Sequence, residues 1–95
     1  MKVHDIIWLA EIEEKIIRKH DVWPDEVEQI LLARPRVRFM ERGYRPGEDL
    51  YAAFGQTEGG RYLAVFFILK QSGTALIITA REMTQKERRS YGRQR

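Results

Sequence analysis

The sequence predicts an α+β fold in which two N-terminal helices precede a four-stranded antiparallel meander sheet and a short C-terminal helix. Three observations predict it. Apolar residues recur at helical spacing up to about residue 33, they alternate as in strands from residue 36 onward, and three turn signals divide this second part. A chain of 95 residues, 43% of them apolar, can bury one core. We therefore expect a single domain over residues 1–95.

The first helix is predicted over residues 5–20, where five side chains share one face at the helical period: Ile6, Leu9, Ile12, Ile16 and His20. Glu13 projects close to this stripe, so it either meets a cation from elsewhere in the fold or lies at the exposed rim. A second helix begins at Pro24, because proline suits the first helical position. It ends at Arg34, since the residue before Pro35 is pushed out of the helical region.

Four strands follow, near residues 37–41, 50–56, 61–70 and 75–80. Glycine-containing turns separate them, and such short connections make each pair of strands antiparallel. The third strand is apolar on both faces, so we expect it at the centre of the sheet with helices over at least one side. Thr84 and Glu87 have the spacing of a capping box, which predicts a last helix that ends near Tyr91.

Positive charge is concentrated at the C-terminal end of the chain. The formal net charge is +3, but residues 81–95 hold six basic and two acidic residues. A basic end on a near-neutral body favours an anionic partner, either RNA or an acidic protein surface. The alternative is a solvated tail with no partner.

Composition also excludes several kinds of protein site and segment. The chain has no cysteine, which excludes disulfides and thiolate zinc sites. The longest apolar run, residues 62–69, is too short to span a bilayer as a helix. With no signal-like segment at the start, we expect a cytoplasmic protein without a membrane partner.

No pattern in the sequence indicates a metal or a cofactor. The two histidines, His4 and His20, lack a second ligand at metal-binding spacing, and Gly59-Gly60 is a hairpin turn, not a phosphate-binding loop. The candidate catalytic residues are instead cationic or proton-transferring side chains at the ends of elements: Lys19, His20, Arg61, Arg81 and Tyr91. Arg88 and Arg89 are candidate RNA-backbone contacts.

Cleavage of RNA without a metal needs groups of these kinds. A base removes the proton of the ribose 2′-hydroxyl, cations stabilise the charge that develops on the phosphate, and an acid protonates the departing oxygen. Each candidate also has a purely structural explanation. Lys19 and His20 could cap helix-end carbonyls, Arg61 could be a surface charge, and Arg81 could pair with Glu13 or Glu82.

Three segments together carry a resemblance to a known family. The C-terminal one is Ile77-Ile-Thr-Ala-Arg81, followed by Glu82-Met-Thr-Gln-Lys86 and Glu87-Arg-Arg-Ser-Tyr91. The central one is Gly55-Gln-Thr57 with Gly60-Arg61-Tyr-Leu63, and the N-terminal one places Trp8 eleven residues before Lys19-His20, with Asp25-Glu26 after them. In order and spacing they resemble the BrnT-type toxins of bacterial toxin–antitoxin systems. The chain departs from that pattern in carrying Asp21 where the family usually has glycine and Leu50 where an arginine is common.

The resemblance implies a fold similar to the RelE-type ribonucleases and a partner antitoxin of the ribbon-helix-helix class. It also implies that the seven candidate side chains form one RNA site. Our leading hypothesis is a metal-independent endoribonuclease toxin that cuts RNA and so inhibits translation. The alternative is a noncatalytic domain on the same scaffold that binds nucleic acid or an acidic protein. The sequence leaves open a homo-oligomer or a heterotetramer with the antitoxin.

Overall fold

The computed structural model describes residues 2–93, so Arg95, one of the six basic residues at the C-terminal end, lies outside the described part. These residues form eight elements: β1 (Asp5–Ile7), α1 (Ala10–His20), α2 (Pro24–Leu32), β2 (Arg36–Glu41), β3 (Leu50–Gln56), β4 (Tyr62–Leu69), β5 (Thr74–Glu82) and α3 (Gln85–Arg93). The strands form one sheet in the order β1-β5-β4-β3-β2. The α+β class and the antiparallel order from β2 to β5 are confirmed.

The predicted count of four strands is wrong, because the sheet formed by residues 2–93 has five. Asp5 to Ile7 form β1, which pairs in parallel with the start of β5, and the His4 N–H donates to the Gly73 carbonyl at 2.9 Å. The first helix therefore begins at Ala10 and not at Asp5. A three-residue stretch with one inward side chain, here Ile6, fits either the helical or the strand period, so periodicity could not decide between them.

The hydrophobic core lies between one face of the sheet and the two N-terminal helices. Helix α1 packs on β5, and α2 packs on β3 and β4. Leu63, Val65 and Phe67 of the central strand point toward these helices and are fully buried. Burial of such side chains stabilises the fold by roughly 1.5–3 kcal/mol each, so this face holds the helices and the sheet together.

The opposite face of the sheet carries α3. Because side chains alternate along a strand, Tyr62, Ala64 and Phe66 project toward this face. The predicted capping box is present: the Glu87 N–H donates to Thr84 Oγ1 at 3.1 Å, and the Thr84 N–H donates to Glu87 Oε1 at 2.8 Å. None of the α3 residues is buried, so a few specific contacts hold this helix on the sheet.

Within residues 2–93, no helix is both long enough and apolar enough to cross a membrane.

Candidate functional site

The hairpin between β3 and β4 positions Arg61. The Thr57 N–H donates to the Arg61 carbonyl at 2.8 Å, and the Arg61 N–H donates to Thr57 Oγ1 at 3.0 Å. Thr57 is almost completely buried, and Gly60 adopts a φ of +94° that side chains rarely tolerate. Thr57 and Gly60 of the central motif thus stabilise the turn, and the turn fixes the position of Arg61.

The Arg61 guanidinium joins three elements. Its Nη1 donates to both carboxylate oxygens of Glu26 on α2, at 2.9 and 3.0 Å, and to the Asp21 carbonyl at the end of α1, at 2.7 Å. Its Nε and Nη2 donate to Glu82 Oε2 on β5, at 3.3 and 3.1 Å. Burial alone would lower the pKa of Arg61, but the hydrogen bonds and charges of the two carboxylates raise it above its ordinary value. The guanidinium therefore stays charged.

Lys19 and His20 lie at the C-terminal end of α1, next to this cluster. Both are exposed, and neither forms a side-chain hydrogen bond or an ion pair in the described part of the chain. Asp21 then ends the helix in the left-handed conformation, at a φ of 54°, and its N–H donates to the Ile17 carbonyl. A glycine is the usual residue at such a helix end, which gives a conformational reason for the glycine of the family pattern.

Arg81 is held by a paired contact with Glu87. Its Nη1 and Nη2 donate to Oε1 and Oε2 of that carboxylate at 2.7 and 3.0 Å, and Nη1 also donates to the Glu82 carbonyl at 3.1 Å. The guanidinium lies 5.1 Å from the centre of the Phe66 ring. The hydrogen bond from Arg81 lowers the pKa of Glu87, whereas burial opposes that change, and the Thr84 N–H lowers the pKa further. Glu87 thus both caps α3 and neutralises Arg81.

That partner was not among those considered from the sequence. Arg81 meets the side chain of neither Glu13 nor Glu82, and its contact with Glu82 is through the main-chain carbonyl. The hydrogen bond to Glu87 raises the pKa of Arg81 above its ordinary value. Glu13 is half-buried and forms no ion pair with any other residue between 2 and 93. Glu13 thus lies at the rim of the apolar stripe, the second of the two alternatives.

On α3, Arg88 and Tyr91 pack against Tyr62 of the sheet. The Arg88 guanidinium lies 4.2 Å from the centre of the Tyr62 ring, and the rings of Tyr62 and Tyr91 meet edge to face at 6.1 Å. Arg89 is exposed and forms no ion pair in residues 2–93. This end of the sheet therefore presents aromatic rings and cations side by side.

The structure brings the candidate residues to one end of the sheet but distributes them over its two faces. Arg61 contacts the helices on the core face, whereas Arg81 contacts α3 on the opposite face. Glu82 connects the two clusters, because its carboxylate accepts from Arg61 and its carbonyl accepts from Arg81. A continuous set of contacts thus runs from the end of α1 to α3.

Two further cations near this end were missed from the sequence. Arg36 and Arg38 of the edge strand β2 pair with Phe54 and Ala52, so both side chains project toward the α3 face. They form no ion pair within residues 2–93. The signal was present in the sequence, since the Arg-Val-Arg alternation places two arginines on one face of a strand.

Comparisons with known proteins give one matching family model and a similar solved fold. The family model described as "Ribonuclease toxin, BrnT, of type II toxin-antitoxin system" matches residues 8–87. The chain is also similar to the Brucella abortus ribonuclease toxin, BrnT, known from a 1.1 Å crystal structure, with a TM-score of 0.62 and 22% identity over 87% of this chain and 100% of that one. At this identity the structural match shows the fold alone. No curated protein matches the chain.

Proposed function

The chain belongs to the BrnT family of ribonuclease toxins from type II toxin–antitoxin systems, and on this premise we propose that it is a metal-independent endoribonuclease of the cytoplasm that inhibits translation by cutting RNA. Membership in a type II family implies an antitoxin as partner. We propose that this antitoxin is of the ribbon-helix-helix class.

One observation carries the catalytic proposal, namely the continuous contact from Asp21 through Arg61 and Glu82 to Arg81. It holds two permanently charged guanidinium groups at fixed positions near one end of the sheet. The first of these groups donates to the Asp21 carbonyl, directly after Lys19 and His20 in the chain. Preorganised cations of this kind stabilise charge that develops on a phosphate during the reaction.

The proposed roles follow from the chemistry of each group. Arg81 stabilises the negative charge of the transition-state phosphate, Arg61 holds the end of α1 in place, and Lys19 or His20 transfers protons to and from the ribose oxygens. Tyr91, beside Tyr62, either positions the nucleotide or transfers a proton. The 2′-hydroxyl is the nucleophile, so the upstream fragment ends in a 2′,3′-cyclic phosphate.

The arrangement at Arg81 suits a phosphate. The contacts with Glu87 and the Glu82 carbonyl use Nη1 and Nη2, and Nε–H has no hydrogen-bond partner in residues 2–93. About a third of this side chain is exposed. An RNA phosphate can therefore accept a hydrogen bond from Arg81 while Glu87 keeps the guanidinium in place.

A second function is supported by the charges of the same groups. Glu26 and Glu82 bind Arg61, and Glu87 binds Arg81, so much of the positive charge is already compensated. A noncatalytic domain that binds nucleic acid or an acidic protein through its remaining free cations would have the same arrangement.

The test is cleavage of RNA by purified protein in excess EDTA, with Arg81→Gln compared with Lys70→Gln. Lys70 pairs with Glu48 at the other end of β4 and serves as the matched control. We expect wild type and the Lys70 variant to release fragments with cyclic phosphate ends and to arrest growth, and the Arg81 variant to do neither. Intact RNA with wild-type protein, together with normal growth on expression, would favour the noncatalytic domain.

A further inference from the structure

A groove of about 680 Å³ runs between α3 and the edge strand β2, on the face of the sheet away from the core. Six of the side chains that line it are cationic or aromatic: Arg36, Arg38, Phe54, Lys86, Tyr91 and Arg93. None of the seven candidates from the sequence, except Tyr91, lines this groove. It is therefore a separate surface, which adjoins Arg81 and its partner Glu87.

The groove is strongly positive. Its four cationic side chains form no ion pair within the described chain. The one carboxylate in the lining, Glu87, is already bound by Arg81 and by the Thr84 N–H. The walls thus carry positive charge that no carboxylate in the described part compensates, which favours an anionic ligand.

Spacing and aromatic content identify the kind of anion. Arg36 and Arg38 are two residues apart on a strand, so their side chains leave the same face about 7 Å apart. That separation is similar to the distance between neighbouring phosphates of an extended nucleotide strand. Phe54 and Tyr91 are half-buried, with ring surface open to the groove. Rings among cations are the means by which proteins bind single-stranded nucleic acids, since bases stack on them while cations contact the backbone.

The groove also leads to the proposed reaction site. Thr84 and Glu87 line it at the start of α3, and Glu87 binds Arg81. A strand that lies on Arg36 and Arg38 would therefore pass within reach of the Arg81 guanidinium.

We propose that this groove binds the single-stranded RNA substrate, with Arg36 and Arg38 on successive phosphates and a base stacked on Phe54 or Tyr91. The proposal rests on the ribonuclease function above and assigns its substrate-binding surface. Lys86 and Arg93 contact the same backbone from the α3 side.

The test uses a fluorescent oligonucleotide with 2′-O-methyl groups, which binds but cannot be cut because the nucleophile is blocked. The Arg36→Gln/Arg38→Gln variant is compared with Arg42→Gln/Arg45→Gln, whose exposed arginines lie outside the groove. Loss of two phosphate contacts should reduce the slope of log affinity against log salt by about 1.4. The control variant should keep the wild-type slope. Urea unfolding of both variants checks that the fold is unchanged.

A second comparison needs no mutation. An abasic strand of equal length and charge should bind wild-type protein at least about fivefold more weakly, because it lacks the bases that stack. An unchanged salt slope in the Arg36 and Arg38 variant, equal binding of the abasic strand, or tighter binding of a polyglutamate peptide than of the oligonucleotide would each overturn the groove proposal.

Cleavage of unmodified RNA is measured separately, so the two proposals can fail independently. Protein that cuts RNA while the Arg36 and Arg38 variant binds normally overturns the groove and leaves the ribonuclease. Protein that binds through the groove and does not cut overturns the ribonuclease and leaves the groove.

Discussion

The contact between Arg81 and Glu87 can be tested by Glu87→Gln, a change that separates the two roles of this carboxylate. Glutamine can still accept the Thr84 N–H, because glutamine also serves in capping boxes. It cannot form the ion pair. A second variant, Glu87→Ala, removes the cap as well as the charge.

The expected magnitude follows from the geometry. The two contacts with Arg81 measure 2.7 and 3.0 Å, and the side chains are 32% and 25% exposed. A charged hydrogen bond in a buried setting contributes about 1.5–3 kcal/mol, and an exposed ion pair contributes about 0–1 kcal/mol. We therefore expect Glu87→Gln to lower the free energy of unfolding by about 1–2 kcal/mol. Loss of the cap costs roughly a further 1 kcal/mol in Glu87→Ala.

The effect should depend on pH with a defined sign. The pKa of Glu87 is lower in the folded protein than in the unfolded chain, mainly because of the hydrogen bond from Arg81. The stabilisation is therefore fully present above the unfolded pKa, about 4.3. It is lost as the pH falls through the lower folded value. The difference between wild type and Glu87→Gln should be largest near neutral pH and should shrink below about pH 4.

Urea unfolding followed by the fluorescence of Trp8 and Trp23 measures these differences at each pH. At neutral pH we expect the free energy of unfolding to decrease in the order wild type, Glu87→Gln, Glu87→Ala. The Arg81→Gln/Glu87→Gln double variant should be about as stable as the Arg81→Gln and Glu87→Gln single variants. A Glu87→Gln protein as stable as wild type at neutral pH, or a difference that stays constant down to pH 3, would refute the argument.

Four further substitutions have defined outcomes, one of them as a control. Asp21→Gly should raise the free energy of unfolding by up to about 1 kcal/mol, because the residue has a φ of 54°; a less stable variant in urea unfolding would contradict this. Arg61→Lys should cost about 1–2 kcal/mol, since an ammonium cannot replace the forked contacts of the guanidinium. The control is Arg18→Lys, because Arg18 forms an exposed ion pair with Glu14 at 3.8 Å. This change should lower the free energy of unfolding by less than about 0.5 kcal/mol, and equal losses in the Arg61 and Arg18 variants would refute the reasoning. Gly55→Ala should lower the free energy of unfolding by about 1–3 kcal/mol, because the new Cβ would lie 3.1 Å from Ile30 Cδ1 on α2. An unchanged melting temperature would contradict this prediction.

Local pattern was sufficient for most of the secondary structure. The predicted bounds of β3 are those observed, and α2 begins at Pro24 as predicted. The capping box at Thr84 is present with both of its hydrogen bonds. These features depend on residues within a few positions of one another, so the sequence carries their cause directly.

Strand β1 illustrates where local pattern failed. Its three residues are too few to show a period, and they pair with residues 74–76, far along the chain. Only the finished edge of β5 supplies those partners. The prediction therefore assigned Asp5–Ile7 to the first helix, although they form a strand of the sheet.

The sequence by itself determined the family, the order of the main elements and the kind of side chains that stand at their ends. Only the tertiary structure decided which charges meet. Arg61 reaches Glu26 across 35 positions and Glu82 across 21, and the register of β4 on β5 sends Arg61 and Arg81 to opposite faces. The groove beside Arg36 exists because α3 folds back over the sheet toward β2. Such contacts depend on how whole elements pack, and spacing along the chain does not contain that information.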